Sequence, residues 1–498
     1  MKKPSPYHRL EKRFRRLSAI GDAIAVLHWD WSAMMPPGGA EGRAGQLAEL
    51  AAVRHALLVA PEVEELMEAA RAGGGLDEWQ RANLGEMDRQ WSRAVALPED
   101  LVAAMVRAQA ACETAWRDAH PKGDFAAVLP SLERVLELVR EAAAAQGARL
   151  GLGPYDALLD GYEPGARSAE IDTLFADLEA FLPDFLGQVL ERQKGEPDVI
   201  VPDGPFPAER QRALAVRLIE ALGFDFDHGR LDESRHPFCG GTPDDVRITT
   251  RYDEDDFTKS LMAVLHETGH ALYERGLPKA WRGQPVGQAL GMSMHEGQSL
   301  LIEMQVCRSA QFMAFAAPVM GEVLGRSGPA WEAENLRRLY ARVEPGFIRV
   351  DADEVTYPAH VMVRYRLEKA LVAGELKLAE LPAAWNEGMQ RLLGLTPPSD
   401  REGCLQDLHW YDGAWGYFPT YTLGAMTASQ LFDAAKRADG AIVDGIGRGD
   451  FQPLFAWLGA NVHSKGALLP AHELLSQATG RPLDAEVFKN HLRRRYLG

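Results

Sequence analysis

Five consecutive residues, His266-Glu267-Thr268-Gly269-His270, put two imidazoles four positions apart in a stretch whose apolar residues recur at helical spacing. Residues four apart share a face of an α-helix, so both rings can reach one point without bending the backbone. That demand constrains the chain around them. Leu261, Ala263, Val264, Leu265, Ala271 and Leu272 supply the buried side of this helix. The spacing predicts that it begins among the acidic residues from Asp253 to Asp256 and stops at Gly276-Leu277-Pro278. The motif then sits in mid-helix.

Two convergent histidines suit a metal ion that accepts imidazole, zinc first, with cobalt or manganese as possible substitutes. Glu267 leaves the helix at a neighbouring angle, where a carboxylate can take a proton from the attacking water instead of binding the ion, as in metal-dependent peptidases. A pair of core histidines satisfied by their neighbours is the plain alternative. Two histidines need a third protein ligand and leave a position open. A second helix, expected from Met292, offers Glu296 and Glu303, seven apart on one face, with His295 nearby. Spacing alone does not choose between the two glutamates.

The remainder reads as mainly helical, with helices expected at 7–31, 40–72, 77–118, 125–149 and 168–194, and again over 423–497. The convincing strand is Asp245 to Tyr252, which alternates apolar and polar residues and is rich in β-branched side chains. It is expected in a small sheet beside the site, and as an edge strand it could bind an extended peptide through its backbone. No period of 20 to 50 residues recurs, so a solenoid is excluded. The chain is expected to form a single peptidase domain of helical lobes: about 1–200 N-terminal, 201–425 catalytic and 426–498 C-terminal.

Composition narrows the partners. The net charge of −17 argues against nucleic acid or an anionic membrane, both of which would repel this surface. The basic run from Arg9 to Arg16 reads as a solvated helix face. Cys112, Cys239, Cys307 and Cys404 are scattered, with no CxxC pair, which points to a reducing cytoplasm. The first residues lack an apolar signal core, and no run of about 18 apolar residues occurs.

Six short motifs then align in order: His236-Pro237-Phe238; Asp245-Val246-Arg247-Ile248-Thr249; the HETGH stretch; His295-Glu296-Gly297-Gln298; Ile348 to Asp353; and Gly403 to Trp410. With them the sequence resembles the thermostable zinc metallocarboxypeptidases of the carboxypeptidase Taq family. The resemblance implies a mainly α fold, shared with peptidyl-dipeptidase and neurolysin-like enzymes, with a deep groove and a small β-sheet beside the zinc. It implies one zinc per subunit, Glu296 as the third ligand, a homodimer, and broad-specificity removal of single residues from peptides with a free C-terminal carboxylate.

Arg349 is the candidate for gripping that carboxylate, with Arg247 the alternative, because a guanidinium can hold it through two parallel hydrogen bonds. Salt bridges to Asp245, Asp351 or Asp353 are the ordinary use of either arginine. His236 is a candidate for lining the pocket. Tyr357, His360, His409 and Tyr421 are candidate donors to the oxygen that gains charge in the transition state. The rival readings are an endopeptidase or peptidyl-dipeptidase of the same chemistry, and a helical interaction protein with a structural zinc.

Overall fold

The computed structural model describes residues 4–498, and in it helices dominate around one three-stranded sheet. Two expected helices are each broken in two. The stretch over 40–72 forms Ala40–Leu58 and Pro61–Gly73, and that over 77–118 forms Glu78–Val95 and Glu99–Ala119. A proline stands at both breaks: Pro61 opens its helix and Pro98 caps the next, where the missing N–H costs nothing. The apolar period runs through the first break because Leu58 and Val63, on either side of it, join the same cluster.

The sheet has the order β1-β3-β2, with β1 at Gly229–Glu233, β2 at Cys239–Thr242 and β3 at Asp245–Thr250. The expected strand is the central one, so it is an ordinary sheet strand and has no free edge for an extended peptide. β1 runs parallel to β3, pairing Leu231 with Ile248, and β2 runs antiparallel, pairing Cys239 with Ile248. β1 and β2 thus flank β3, and the loop with His236-Pro237-Phe238 must cross its end. Thr249 ties that loop down: its hydroxyl accepts from Phe238 N at 3.0 Å and lies 2.7 Å from Ser234 Oγ, while its N–H donates to Phe238 O at 2.9 Å. Two of the six motifs are therefore halves of one structural unit.

Val246 and Ile248 of β3 pack with Leu261, Val264 and Leu265 of the helix Phe257–Gly276 in the larger apolar cluster. A second cluster gathers Tyr365, Trp385, Trp410, Trp415 and Phe418. The helix Pro419–Ala438 belongs to both, through Ala428 and Leu431 on one side and Leu423 and Met426 on the other. Burying each such side chain contributes about 1.5–3 kcal/mol. The shared helix locks the two cores in register beside the metal-motif helix.

The C-terminal helix Ala485–Tyr496 is anchored through Glu354, a carboxylate 3% exposed. Glu354 accepts from Arg495 Nη1 at 2.9 Å and Tyr496 Oη at 3.0 Å, and lies 2.7 Å from His491 Nε2; Gln305 Nε2 donates at 3.3 Å. Burial alone would push its pKa up, but Arg495, His491 and Arg308 outweigh it and hold it well below the usual carboxylate range. A folded pKa below the unfolded one gives stability that is present above the unfolded value of about 4.3 and is lost as pH falls through and below it. Glu354→Gln should therefore lower unfolding free energy near pH 7 by about 3–5 kcal/mol, the cost of breaking a buried pair. It should also flatten the loss of stability below about pH 4, which urea titrations at several pH values will read.

Candidate metal centre

Asp256 opens the motif helix by accepting from Thr258 N at 2.9 Å, so an acidic cap begins the helix where the sequence predicts it. His266, Glu267 and His270 follow in its middle, and the second helix, Met292–Leu300, begins where expected and brings Glu296 against them. His266 Nε2 lies 3.9 Å from Glu296 Oε1, and His270 Nε2 lies 3.5 Å from Glu296 Oε2. One ligand atom from each of the three side chains falls within 4.8 Å of the others. Glu267, beside them, is 7% exposed.

Small residues permit this approach. A Cβ at Gly269 would stand 2.6 Å from both Gln298 O and Ser299 Cα, so the fourth residue of the motif is where the two helices touch backbone to backbone. On the other side, a Cβ at Gly424 would stand 2.9 Å from Glu296 Cβ and Cγ. The second helix is clasped between the motif helix and Pro419–Ala438, and Glu296 is held in that clasp. Gly269→Ala should force the helices apart at a cost of about 1–3 kcal/mol. Affinity for an added divalent metal ion should fall with it, measured by chelator competition alongside thermal unfolding.

Between Glu296 and Glu303 the helix widens into a π-turn, Leu301–Cys307. Such turns break the simple seven-residue register. Glu303 accordingly stands behind His266: its Oε2 lies 2.9 Å from His266 Nδ1, while Arg308 donates to Oε1 at 2.5 Å. A carboxylate on Nδ1 leaves His266 Nε2 as the nitrogen facing Glu296. On the other ring, His270 Nδ1 lies 2.7 Å from His295 Nδ1, and His295 Nε2 lies 2.8 Å from Glu274 Oε1. Sequence reasoning missed Glu274, although it lies four residues beyond His270 on the same helix, the one signal available.

The electrostatics fit a cation. Burial works to lower the His266 pKa, but the charge of Glu296, the hydrogen bond with Glu303 and the charge of Glu267 outweigh it and raise it to about 10. The field that favours a proton there favours a divalent ion in its place. Burial, with the charge of His266 adding to it, pushes His270 well below its ordinary value and keeps it neutral, as a ligand must be. Burial pushes the Glu267 carboxyl up to about 7; Glu296 and Glu303 add to this and His266 opposes it. Two imidazoles and a carboxylate, with surplus negative charge around them, are the donor set of a zinc-type ion.

The other site residues divide into an inner group and an outer one. Arg349 is 4% exposed and pairs with Asp407, not with Asp351 or Asp353: Nη2 donates at 2.8 Å and Nε at 3.2 Å, while Nη1 donates to Tyr357 Oη at 2.6 Å. Arg364, fully buried, donates to the other oxygen of Asp407 at 2.6 Å. Two guanidiniums share one carboxylate, so the cluster keeps a net positive charge, and the Arg349 charge reaches Glu296. Tyr421 lies under Arg349, its ring 4.9 Å from the guanidinium carbon, and its hydroxyl is 3.3 Å from His409 Nε2. Burial pushes His409 down to about 4 and Tyr357 far up, so both are neutral.

His360 is 0% exposed with neither ring nitrogen hydrogen-bonded, and its backbone carbonyl accepts from Arg364 Nη1 at 2.8 Å. Arg247 is engaged elsewhere. It pairs with Asp245 at 2.6 and 3.0 Å and lies 4.2 Å over the ring of Trp29, from the helix Pro6–Ala33. His236 is exposed on the loop between β1 and β2. All four cysteines are free, and among the described residues no helix is long and apolar enough to cross a membrane.

A model of the family described as Carboxypeptidase Taq (M32) metallopeptidase matches residues 9–496. The chain is 39% identical over 502 residues to thermostable carboxypeptidase 1 of Thermus thermophilus, covering 98% of each. It is 34% identical over 496 residues to carboxypeptidase 1 of Bacillus subtilis, again covering 98% of each. The solved structure of Trypanosoma cruzi metallocarboxypeptidase 1 superposes with a TM-score of 0.97 at 43% identity, over 99% of both chains.

Proposed function

The chain belongs to the carboxypeptidase Taq (M32) metallopeptidase family, and on that premise we propose that it is a zinc carboxypeptidase removing single residues from peptide C-termini with broad specificity. The observation that carries this reading is the convergence of His266, His270 and Glu296 beside Glu267, with the positive Arg349–Arg364–Asp407 cluster close enough for its charge to reach Glu296. These three side chains would hold the ion, which when bound supplies a Lewis acid for the scissile carbonyl and makes water acidic enough to attack near neutral pH.

The chain's own groups do the rest. Glu267 takes the proton from the attacking water on its carboxylate and delivers it to the departing amine nitrogen. Arg349 spends three donors on Asp407 and Tyr357 and keeps two N–H groups, enough for a bidentate grip on the substrate's terminal carboxylate. Arg247 keeps three N–H groups after its two bonds to Asp245, but it lies over Trp29, whereas the Arg349 charge reaches Glu296, and that proximity makes Arg349 the stronger choice for the grip. Tyr357, Tyr421 and His409 are neutral donors around Arg349 that can meet the developing oxyanion, while His360 and His236 are less favoured, one sealed in and the other on the outer loop. The scattered free thiols suit a reducing cytoplasm, and the family resemblance supports a homodimer, which light scattering will test.

The test is a time-resolved digest of one peptide in free-acid and C-terminally amidated forms, followed by mass spectrometry. Stepwise loss of single C-terminal residues from the free acid is expected. Release of dipeptides or internal cuts would replace the reading with a peptidyl-dipeptidase or endopeptidase. Arg349→Ala should lower kcat/KM on the free acid by about 10²-fold or more, matching the loss of a charge-assisted bidentate pair, with little change on the amide. An equal loss on both substrates would remove its assigned role.

A further inference from the structure

We infer that His295 and Glu274 form a positioning arm that fixes which nitrogen His270 offers to the ion, an inference that rests on the metal-site reading above. Glu274 stands one turn beyond His270 on the motif helix, and His295 precedes Glu296 on the second helix. His295 bridges them, with Nδ1 2.7 Å from His270 Nδ1 and Nε2 2.8 Å from Glu274 Oε1.

The assignment of hydrogens follows from counting donors. A carboxylate only accepts, so the hydrogen between Glu274 and His295 belongs to His295 Nε2. A neutral imidazole carries one N–H, so His295 Nδ1 is then an acceptor, and the hydrogen in the short contact between the two rings belongs to His270 Nδ1. His270 Nε2 is left with a bare lone pair, and that nitrogen faces Glu296 Oε2 at 3.5 Å. The opposite tautomer of His295 would set two acceptors against each other at Glu274. The two ring centroids lie 4.6 Å apart with their planes tilted by 35°, an edge-to-edge approach that fits a hydrogen bond between the two Nδ1 atoms.

His266 reaches the same state by a shorter route, since Glu303 sits directly on its Nδ1. The two histidines therefore present equivalent nitrogens through unequal supports, one carboxylate in contact and one relayed through an imidazole. Outer partners of metal-bound histidines are commonly worth 10–100-fold in metal affinity. Among the described residues the Glu274 side chain makes its hydrogen bond to His295, so its influence on His270 should pass through that ring.

The test is a double-mutant cycle in zinc affinity, read by competition with a chromophoric chelator on refolding-competent, metal-stripped protein, with circular dichroism confirming the fold. Glu274→Gln and His295→Phe are each expected to weaken zinc binding by about 10–100-fold, and Glu274→Gln should cost nothing further in the His295→Phe background. If the phenyl ring disturbs packing, His295→Ala serves as the background. A Glu274→Gln loss of the same size in both backgrounds would show a charge effect acting through space and overturn the arm, as would no loss in either single variant. A wild-type protein that binds no stoichiometric zinc, or binds it as tightly after Glu296→Ala, would instead overturn the metal-site reading itself.

Discussion

Glu267→Gln should keep zinc bound at wild-type stoichiometry while turnover falls by about 10²–10⁴-fold, the usual span for removing a general base. That corresponds to roughly 3–5 kcal/mol of transition-state stabilisation. The substitution is nearly isosteric, and Glu267 is not among the three side chains whose ligand atoms converge. It therefore removes proton transfer and spares the ion. The loss should fall mainly on kcat, since the carboxylate acts on the proton of water and not on substrate binding. Turnover within tenfold of wild type at full zinc content would assign the base elsewhere. Loss of zinc would make Glu267 a ligand.

The second large effect separates the two glutamates of the second helix. Glu296 faces Nε2 of both histidines, whereas Glu303 stands behind one of them and is held by Arg308. Glu296→Ala should abolish both zinc retention through a desalting column and activity. Glu303→Gln should retain the ion, with affinity lowered about 10–100-fold, as for a support one shell out. The two variants are compared by metal analysis after identical handling. Full zinc occupancy and activity in Glu296→Ala, with loss of both in Glu303→Gln, would invert the assignment.

The residues differ in how far their roles were legible before the fold was known. Two histidines at helical spacing between an acidic start and a Gly-Leu-Pro stop predict the motif helix closely, because every determinant is local. The choice between Glu296 and Glu303 is not local. Glu303 lies inside a π-turn and Glu296 before it, and Arg495, from the end of the chain, donates to Gln305 O within that turn at 3.4 Å. No periodicity in the second helix carries that information. Both breaks were visible as prolines, Pro61 and Pro98, but the first was masked by apolar residues that serve a common core across it.

Strands of five and four residues with glycines, Gly229–Glu233 and Cys239–Thr242, carry little alternation, so the sequence left open whether β3 was an edge or the centre. The partner of Arg349 lies 58 residues away in another motif, so nearby Asp351 and Asp353 seemed the natural choices. Gly269 is the opposite case. Its place in the motif was plain, and the reason for it, contact with Gln298 and Ser299, appears only when the second helix is set against the first.

The most direct measurement is anomalous diffraction at the zinc edge from crystals of zinc-loaded Glu267→Gln protein. One strong peak per chain is expected, about 2.0–2.2 Å from His266 Nε2, His270 Nε2 and a carboxylate oxygen of Glu296, with the Glu303 carboxylate still on His266 Nδ1. A peak coordinated by Glu303 in place of Glu296, one closed by four protein ligands, or none among these side chains would contradict that arrangement.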